Sequence, residues 1–262
     1  MTYHRQFTDP ESMELTLSQW HDRFSQQARW TRELRDFFFT QYPSPPCDLA
    51  LDVGCGTGAL LSPGEPGYSG KIIELDLDLS HLLYSTPGVE RTQRTLGDAH
   101  RLPFPDDLFD LTYCHYLFLW LVDPEQAAAE MRRVTKPGGW VAAFAEPDYG
   151  GRIDHPPALE KIKPAQIQSL RQQGADPCLG RKLKSIFSHE GLKELTSGVL
   201  QGSWTDPPSG EELSLEWLIL EKDLHDLLSS RELTELKEQD AQAWKAGERI
   251  IYVPTFYAWG VV

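Results

Sequence analysis

The residues with the clearest chemical potential lie in a glycine-rich segment near the start of the chain. Residues 51–58 read Leu-Asp-Val-Gly-Cys-Gly-Thr-Gly, and the alternate glycines Gly54, Gly56 and Gly58 let a backbone turn sharply and approach a ligand closely. Asp76 follows this segment at about the 20-residue separation at which an acidic side chain binds ribose hydroxyls in nucleotide-binding α/β folds. The pattern predicts a ligand that carries a nucleoside.

Two kinds of nucleoside ligand fit this loop. Gly54, Gly56 and Ala59 satisfy the G-x-G-x-x-A spacing of dinucleotide-binding folds. A dinucleotide, however, places its pyrophosphate at the N-terminus of a well-formed helix, and two prolines and two glycines interrupt residues 59–67. The interruption favours a ligand without a pyrophosphate and leaves a nicotinamide dinucleotide as the alternative.

Alternating strands and helices must position these residues. The strand segments are continuous apolar runs, which is typical of strands covered on both faces, and their alternation with helical segments indicates an α/β fold with a mainly parallel sheet. Strands are predicted over residues 48–53, 71–76, 109 onward, 140–146, 198–204 and 249–262. Helices are predicted over residues 15–39, 124–136, 158–173, 179–189 and 211–246.

The loop after the strand predicted over residues 140–146 carries further candidates for catalysis. Ligands of open parallel sheets bind beyond the carboxyl ends of the strands, so Glu146, Asp148 and Tyr149 are expected to face the substrate. The late helices, with Trp204 and Trp217, are expected to form an apolar lid over the sheet. Such a lid suits a small organic molecule.

On these motifs the chain resembles the class I S-adenosylmethionine-dependent methyltransferases. The matching segments are residues 51–58, 73–82, 96–111 and 109–144, within a resemblance that covers roughly residues 20–150. The resemblance implies S-adenosylmethionine as cofactor. It also implies a Rossmann-like, mostly parallel seven-stranded sheet with helices on both faces, an N-terminal helical cap and a helical insertion before the last strands.

The resemblance also implies roles for individual residues. Asp76 would lie at the ribose, with Leu77 next to it along the cofactor. Asp98 would lie at the adenine amino group with Ala99 beside the ring, and Cys114 with His115 at the methionine end. The full set of predicted cofactor-binding residues is Asp52, Gly54, Cys55, Gly56, Gly58, Asp76, Leu77, Asp98, Ala99, Cys114 and His115. His115 is either a pocket wall or a general base, and the candidate catalytic residues are His115, Glu146, Asp148 and Tyr149.

Charge and composition exclude several other classes of function. Lys and Arg total 25 against 39 Asp and Glu, a net charge of −14, which repels nucleic acid and anionic membranes. There is no apolar run long enough to cross a bilayer and no secretory signal. The four cysteines lack a C-x-x-C pair, which predicts a cytoplasmic protein without a metal site. The oligomeric state stays open.

These observations combine into one prediction for the whole chain. Residues 1–262 are expected to form a single methyltransferase domain, with a helical cap over 1–46, a cofactor-binding core over 47–146 and substrate-side helices and final strands over 147–262. The predicted activity is methyl transfer from S-adenosylmethionine to a small organic acceptor. The alternatives are a non-catalytic cofactor-binding regulator or scaffold, which the interrupted segment 59–67 favours, and an NAD(P)-dependent oxidoreductase.

Overall fold

A computed structural model describes residues 14–42, 47–60, 70–84, 93–201 and 207–262. Most of the interrupted segment after Ala59, and Trp204 in the predicted lid, lie outside these residues. The helices are α1 (Leu17–Trp30), α2 (Arg32–Gln41), α3 (Leu79–Leu83), α4 (Pro124–Val134), α5 (Ile162–Gln172), α6 (Leu183–His189), α7 (Gly210–Leu224) and α8 (Ser230–Ala246). The strands are β1 (Leu49–Val53), β2 (Lys71–Asp76), β3 (Gln93–Leu96), β4 (Phe109–Cys114), β5 (Thr135–Pro147), β6 (Ile153–His155), β7 (Lys193–Val199), β8 (Ile250–Tyr252) and β9 (Thr255–Val261).

Seven of these strands form one sheet in the order β3-β2-β1-β4-β5-β9-β7. The first five are parallel to one another, and β9 runs antiparallel to both β5 and β7. Strands β6 and β8 pair in a separate antiparallel ribbon. The predicted mostly parallel seven-stranded sheet is therefore confirmed.

Apolar side chains cover both faces of the sheet. One face packs against α4 and α6 through residues such as Met131, Ile186 and Phe187, and the other packs against α2 through Phe38 and Phe39. A third apolar cluster joins α5, α7 and α8 around Trp217 and Leu236. The late helices therefore have a core of their own beside the sheet.

The predicted helix over residues 15–39 is two helices that meet at Thr31. The Thr31 backbone leaves the helical region (φ −107°, ψ 5°), and its hydroxyl donates to the Ala28 carbonyl at 3.2 Å. A threonine hydroxyl that bonds the backbone in this way competes with a continuous helix. The helix predicted over 124–136 likewise ends two residues early, because β5 begins at Thr135.

The predicted strand over residues 198–204 is wrong in position, because β7 spans Lys193–Val199. β7 is the last strand of the sheet order, and it carries the charged residues Lys193 and Glu194 that are common on edge strands. Its mixed composition hid it from a search for apolar runs. Helices α5 and α6 precede β7, and α7 and α8 lie between β7 and the last two strands, so helices are inserted before the last strands as predicted.

Candidate functional site

The glycine loop turns tightly over the end of β2. The amides of Gly54 and Cys55 both donate to the Leu75 carbonyl, at 2.8 and 3.0 Å. Gly54, Gly56 and Gly58 have φ values of +73°, +56° and +70°, which side-chain-bearing residues rarely adopt. The spacing of glycines in the sequence therefore corresponds to a backbone that needs glycine at each of the three positions.

Asp76 lies at the carboxyl end of β2 and faces this loop. One carboxylate oxygen accepts from the Gly56 amide at 2.7 Å, and the other accepts from the Asp78 amide at 2.8 Å. Each oxygen retains capacity for another donor, because a carboxylate oxygen has two lone pairs. The structure thus brings together the loop and the acidic side chain that the sequence pattern paired.

Leu77, Asp98 and Ala99 follow at the same edge of the sheet. Leu77 is 69% exposed although it is a leucine, and the Asp98 side chain is 51% exposed and accepts from His100 Nδ1 at 2.7 Å. Ala99 is buried. The exposed side chain of Leu77 and the carboxylates of Asp76 and Asp98 at this edge provide an apolar surface and hydrogen-bond acceptors for a ligand.

Three of the predicted cofactor-binding residues lie underneath this surface. Asp52, Cys55 and Cys114 are all buried. Burial, together with the neighbouring charge of Glu74, raises the pKa of Asp52, and the charge of Arg35 in α2 opposes that rise. Burial also raises the pKa of both thiols, so they are protonated at neutral pH. Asp52, Cys55 and Cys114 therefore pack beneath the ligand-facing surface and support it.

His115 lies directly after β4 and contacts the junction of α1 and α2. Its Nε2 is 2.9 Å from the Thr31 hydroxyl, which also accepts from Arg35 Nη1 at 2.6 Å. Burial, and then the Arg35 charge, hold the pKa of His115 well below its usual value. His115 is therefore a neutral imidazole at physiological pH.

Helix α1 packs directly onto the glycine loop. His21 Nδ1 is 2.8 Å from the Thr57 hydroxyl. A Cβ added to Gly56 would lie 2.8 Å from Cε2 of Phe24, so a larger residue at this position would push that ring aside. The aromatic ring of Phe24 therefore covers the loop.

The same helix contacts α7, the helix expected to lie over the acceptor. The side chain of Arg23 is buried and pairs with Glu216 of α7 at 2.5 Å. A second bond joins Gln26 Nε2 to the Glu212 carbonyl at 3.4 Å. Helices α1 and α7 are thus tied together across the carboxyl edge of the sheet.

Two tyrosines complete this side of the site. Tyr116 follows β4 with φ +55°, a left-handed conformation that a bulky residue adopts only under constraint. Burial raises the pKa of Tyr116 to about 12, and burial likewise raises the pKa of Tyr149. The positive charge of Arg23 opposes this rise in the pKa of both phenols, and the negative charge of Glu216 adds to it. We refer to Arg23, Tyr116, Tyr149 and Glu216 as the tyrosine wall.

Glu146 is fully buried and holds the turn after β4. Its carboxylate accepts from the amides of Leu117 and Phe118 at 2.9 and 2.8 Å, and from the amide of Leu119 at 3.3 Å. Burial raises the pKa of Glu146 to about 8, and the three amide donors oppose that rise. Glu146 therefore positions the backbone that carries Tyr116 and its neighbours.

Asp148 is also buried, and its partner is Arg181. The guanidinium donates to both carboxylate oxygens, with a distance of 2.8 Å from Nη2 to Oδ1. The side chain of Arg181 is half-exposed. Asp148 thus fixes the loop after β5 beside Tyr149.

Sequence reasoning missed Tyr116, His21 and Glu216. Tyr116 and His21 gave no pattern, because the backbone strain and the contact with Thr57 arise from tertiary structure. Glu216 had a visible signal, since it is an acidic residue among the leucines of an otherwise apolar helix stretch. A charge on a buried helix face requires a partner.

Within the described ranges, no helix is long and apolar enough to cross a membrane. In the same part of the chain, no group of three or more His, Cys, Asp or Glu side chains could hold a metal ion. No disulfide joins the four cysteines, all of which lie in described residues.

Comparison with known proteins identifies the class. The methyltransferase domain family matches residues 51–143, which include the glycine loop, Asp76 and Asp98. The chain is 30% identical over 192 residues to a demethylmenaquinone methyltransferase of Staphylococcus epidermidis, an alignment that covers 69% of this chain and 74% of that protein. The chain belongs to the S-adenosylmethionine-dependent methyltransferase family. This finding favours S-adenosylmethionine over the nicotinamide dinucleotide that the loop spacing had left as an alternative.

Two further relatives show the extent of the likeness. An uncharacterised methyltransferase of Schizosaccharomyces pombe is 34% identical over 152 residues, which cover 52% of this chain and 54% of that protein. This chain therefore spans about half the length of that relative. Phosphoethanolamine N-methyltransferase 2 of Haemonchus contortus, solved in complex with S-adenosyl-L-methionine, superposes with a TM-score of 0.56 at 17% identity, over 88% of this chain and 52% of that one. This last likeness concerns the fold.

Proposed function

We propose that this chain transfers the methyl group of S-adenosylmethionine to a small organic acceptor. The observation that carries the proposal is the closure of the site by α1 and α7, which the buried Arg23–Glu216 pair joins at 2.5 Å. Small-molecule sites are concave and largely shielded from water. A site covered by two linked helices suits such an acceptor better than the surface of a macromolecule.

The residues at the carboxyl edge fit the cofactor of the family. Asp76 offers carboxylate oxygens to the ribose diol, Leu77 offers an apolar surface to the adenine, and Asp98 accepts from its amino group. Gly54, Gly56 and Gly58 allow close approach of the backbone, and His115 lies towards the methionine end. Asp52, Cys55, Ala99 and Cys114 form the support beneath these contacts. When bound, the cofactor supplies an electrophilic methyl group on a sulfonium.

The role of the chain's own residues is chiefly to position the acceptor. Alignment of two reactants in a fixed geometry removes a large part of a reaction barrier. Glu146 fixes the turn that presents Tyr116, and Asp148 with Arg181 fixes the loop that presents Tyr149. His115 is neutral, so it can accept a proton from an acceptor hydroxyl, although its depressed pKa makes it a weak base. Tyr149 orients the acceptor through its phenol.

Relatives support an organic acceptor of low molecular weight. The names of several describe demethylmenaquinone methyltransferases. The net charge of −14 disfavours nucleic acid as the acceptor. We also propose a cytoplasmic location and a single domain over the chain, both of which rest on the sequence.

A labelling experiment tests the activity. The protein is incubated with methyl-labelled S-adenosylmethionine and a cell extract that has been divided by ultrafiltration into small-molecule and macromolecular fractions. We expect protein-dependent label in the small-molecule fraction. Label confined to protein or RNA would contradict the proposed acceptor class, and cofactor binding without transfer to either fraction would favour the non-catalytic regulator.

A further inference from the structure

We propose that the acceptor is an uncharged, ring-bearing molecule, because the charged side chains around the tyrosine wall are already matched by partners within the protein. This inference rests on the proposed function and specifies its substrate class. It predicts that carboxylates, phosphates and ammonium groups are rejected at the acceptor position.

The two charged residues of the tyrosine wall are paired with each other. Arg23, the cation of the wall, lies 2.5 Å from Glu216 and also donates to Gln26 Oε1 at 2.7 Å. Both bonds use Nη1, and Glu216 balances the charge of the guanidinium. An acceptor carboxylate would therefore compete with Glu216 for this cation, and an acceptor ammonium would compete with Arg23 for this anion.

The neighbouring charges are matched in the same way. Asp223 of α7 accepts from Gln173 Nε2 at 3.2 Å and lies 4.0 Å from Lys222 Nζ. Asp148 accepts from Nε and Nη2 of Arg181. Burial raises the pKa of Glu146 to about 8, so its carboxyl is mostly uncharged at pH 7. Arg23, Glu216, Asp223 and Asp148 thus each have an oppositely charged partner within the protein. A charged acceptor would lose its hydration without gaining a counter-charge, which is costly in a buried site.

The two tyrosines of the wall offer neutral hydroxyl groups and aromatic surface. Both phenols are neutral at pH 7, since burial raises the pKa of each, so each can donate and accept a hydrogen bond. Their rings, and the His115 ring 4.8 Å from that of Tyr116, offer aromatic surface to a ring by stacked or edge-to-face contact. A neutral hydroxyl or carbonyl on a ring fits both features.

The backbone of Tyr116 is strained, and this observation is independent of the charges. Tyr116 has φ +55°, and its amide donates to the Ala145 carbonyl at 2.8 Å. A non-glycine residue in this conformation costs free energy and persists where the surroundings require it, often at functional sites. The geometry assigns Tyr116 as a residue that positions the acceptor.

The experiment uses three probes of one size that differ in charge: benzyl alcohol, benzoate and benzylamine. Each is titrated into the full chain loaded with S-adenosylhomocysteine, and binding is measured by ligand-observed NMR. We expect benzyl alcohol to bind at least about 10-fold more tightly than either charged probe. Tighter binding of benzoate or benzylamine, or binding of none of the three, would overturn the inference.

Two variants expose each charge of the wall in turn. Glu216→Gln leaves Arg23 without its counter-charge, so benzoate should gain at least about 10-fold in affinity relative to the wild type. Arg23→Gln leaves Glu216 unmatched and should shift the preference towards benzylamine, which keeps the test informative if one variant does not fold. An unchanged ranking in a folded variant would contradict the inference.

The matched control is Glu221→Gln. Glu221 lies on the same helix and pairs with Lys237 of α8 at 2.7 Å, away from the wall, so the ranking of the probes should not change. Binding of S-adenosylhomocysteine is measured first in every sample. If the wild type does not bind S-adenosylhomocysteine, the proposed function is wrong. If it binds S-adenosylhomocysteine but prefers benzoate or benzylamine to benzyl alcohol, only the inferred acceptor class is wrong.

Discussion

At the scale of single residues, Asp76 links the glycine loop to its ligand. Its two carboxylate oxygens accept from the amides of Gly56 and Asp78, and the free lone pairs are expected to bind the ribose of the cofactor. Removal of a charged hydrogen-bond acceptor costs about 1–3 kcal/mol. Asp76→Ala should therefore weaken S-adenosylhomocysteine binding by that amount in a calorimetric titration.

Asp110→Ala provides the control for this prediction. Asp110 also accepts from two amides, those of Asp48 and Leu49, and binds Lys136, but it lies at the start of β4, away from the carboxyl edge. Asp110→Ala should therefore lower the stability of the protein and leave its affinity for S-adenosylhomocysteine unchanged. Equal affinity in wild type and Asp76→Ala would remove Asp76 from the cofactor site.

Glu146 predicts how stability changes with pH. Because burial raises its pKa to about 8 from about 4.3 in an unfolded chain, the folded state binds more protons than the unfolded state between these values. The free energy of unfolding should therefore fall as the pH rises through this window, by at most about 1.4 kcal/mol per pH unit. Glu146→Gln cannot ionise and should show a flatter profile.

Denaturant unfolding between pH 6 and pH 8.5 measures this difference. A profile of the same slope in wild type and variant would show that the three amides keep Glu146 ionised throughout. Its role in fixing the turn would then stand, and the direction of its pKa shift would be wrong.

At the scale of elements, α1 is the part of the fold that makes the site a closed one. Phe24 lies over Gly56, and Arg23 reaches α7. Gly56→Ala should therefore be costly twice, by about 1–2 kcal/mol for its positive φ and by about 1–3 kcal/mol for the contact with Phe24. Denaturant unfolding gives the stability, and cofactor affinity should fall as well because α1 is displaced.

Gly138→Ala separates the two costs. Gly138 has φ +81° and no heavy atom within 4 Å of an added Cβ, so only the backbone cost applies. If both substitutions lower stability equally and Gly56→Ala retains full cofactor affinity, α1 does not close tightly on the loop.

Sequence reasoning succeeded where local rules determine the structure. The loop from Gly54 to Gly58, β1, β2 and β4 follow from glycine geometry and continuous apolar runs, and they carry the resemblance to the family. It failed where tertiary contacts decide. Thr31 breaks the N-terminal helix because it also meets His115 and Arg35, and polar β7 joins the sheet through its pairing with β9. Whether each predicted residue binds the cofactor stays a prediction.

At the scale of the whole molecule, a buried ionic network joins the β6–β8 ribbon to the late helices. Asp154 accepts from both Arg152 and Arg249, at 2.7 and 2.8 Å, and Arg249 also binds Asp240, which accepts from Trp217 Nε1. Asp154→Ala leaves two buried guanidinium groups short of a counter-charge and should cost about 3–5 kcal/mol of stability.

A surface pair provides the comparison for this network. Arg231 and Glu235 lie one turn apart on the exposed face of α8, and Glu235→Ala should cost far less stability than Asp154→Ala because water screens an exposed ion pair. Both variants are compared by denaturant unfolding. Similar costs for the two would mean that the network does not hold the late helices in place.

The proposed activity depends on binding of S-adenosylmethionine at the carboxyl edge of this sheet. The most direct test is a calorimetric titration of the full chain with S-adenosylmethionine and S-adenosylhomocysteine, with NADH as the control. We expect saturable, one-to-one binding of the first two compounds and no heat of binding from NADH. Binding of NADH, or the absence of binding by both sulfur compounds, would contradict it.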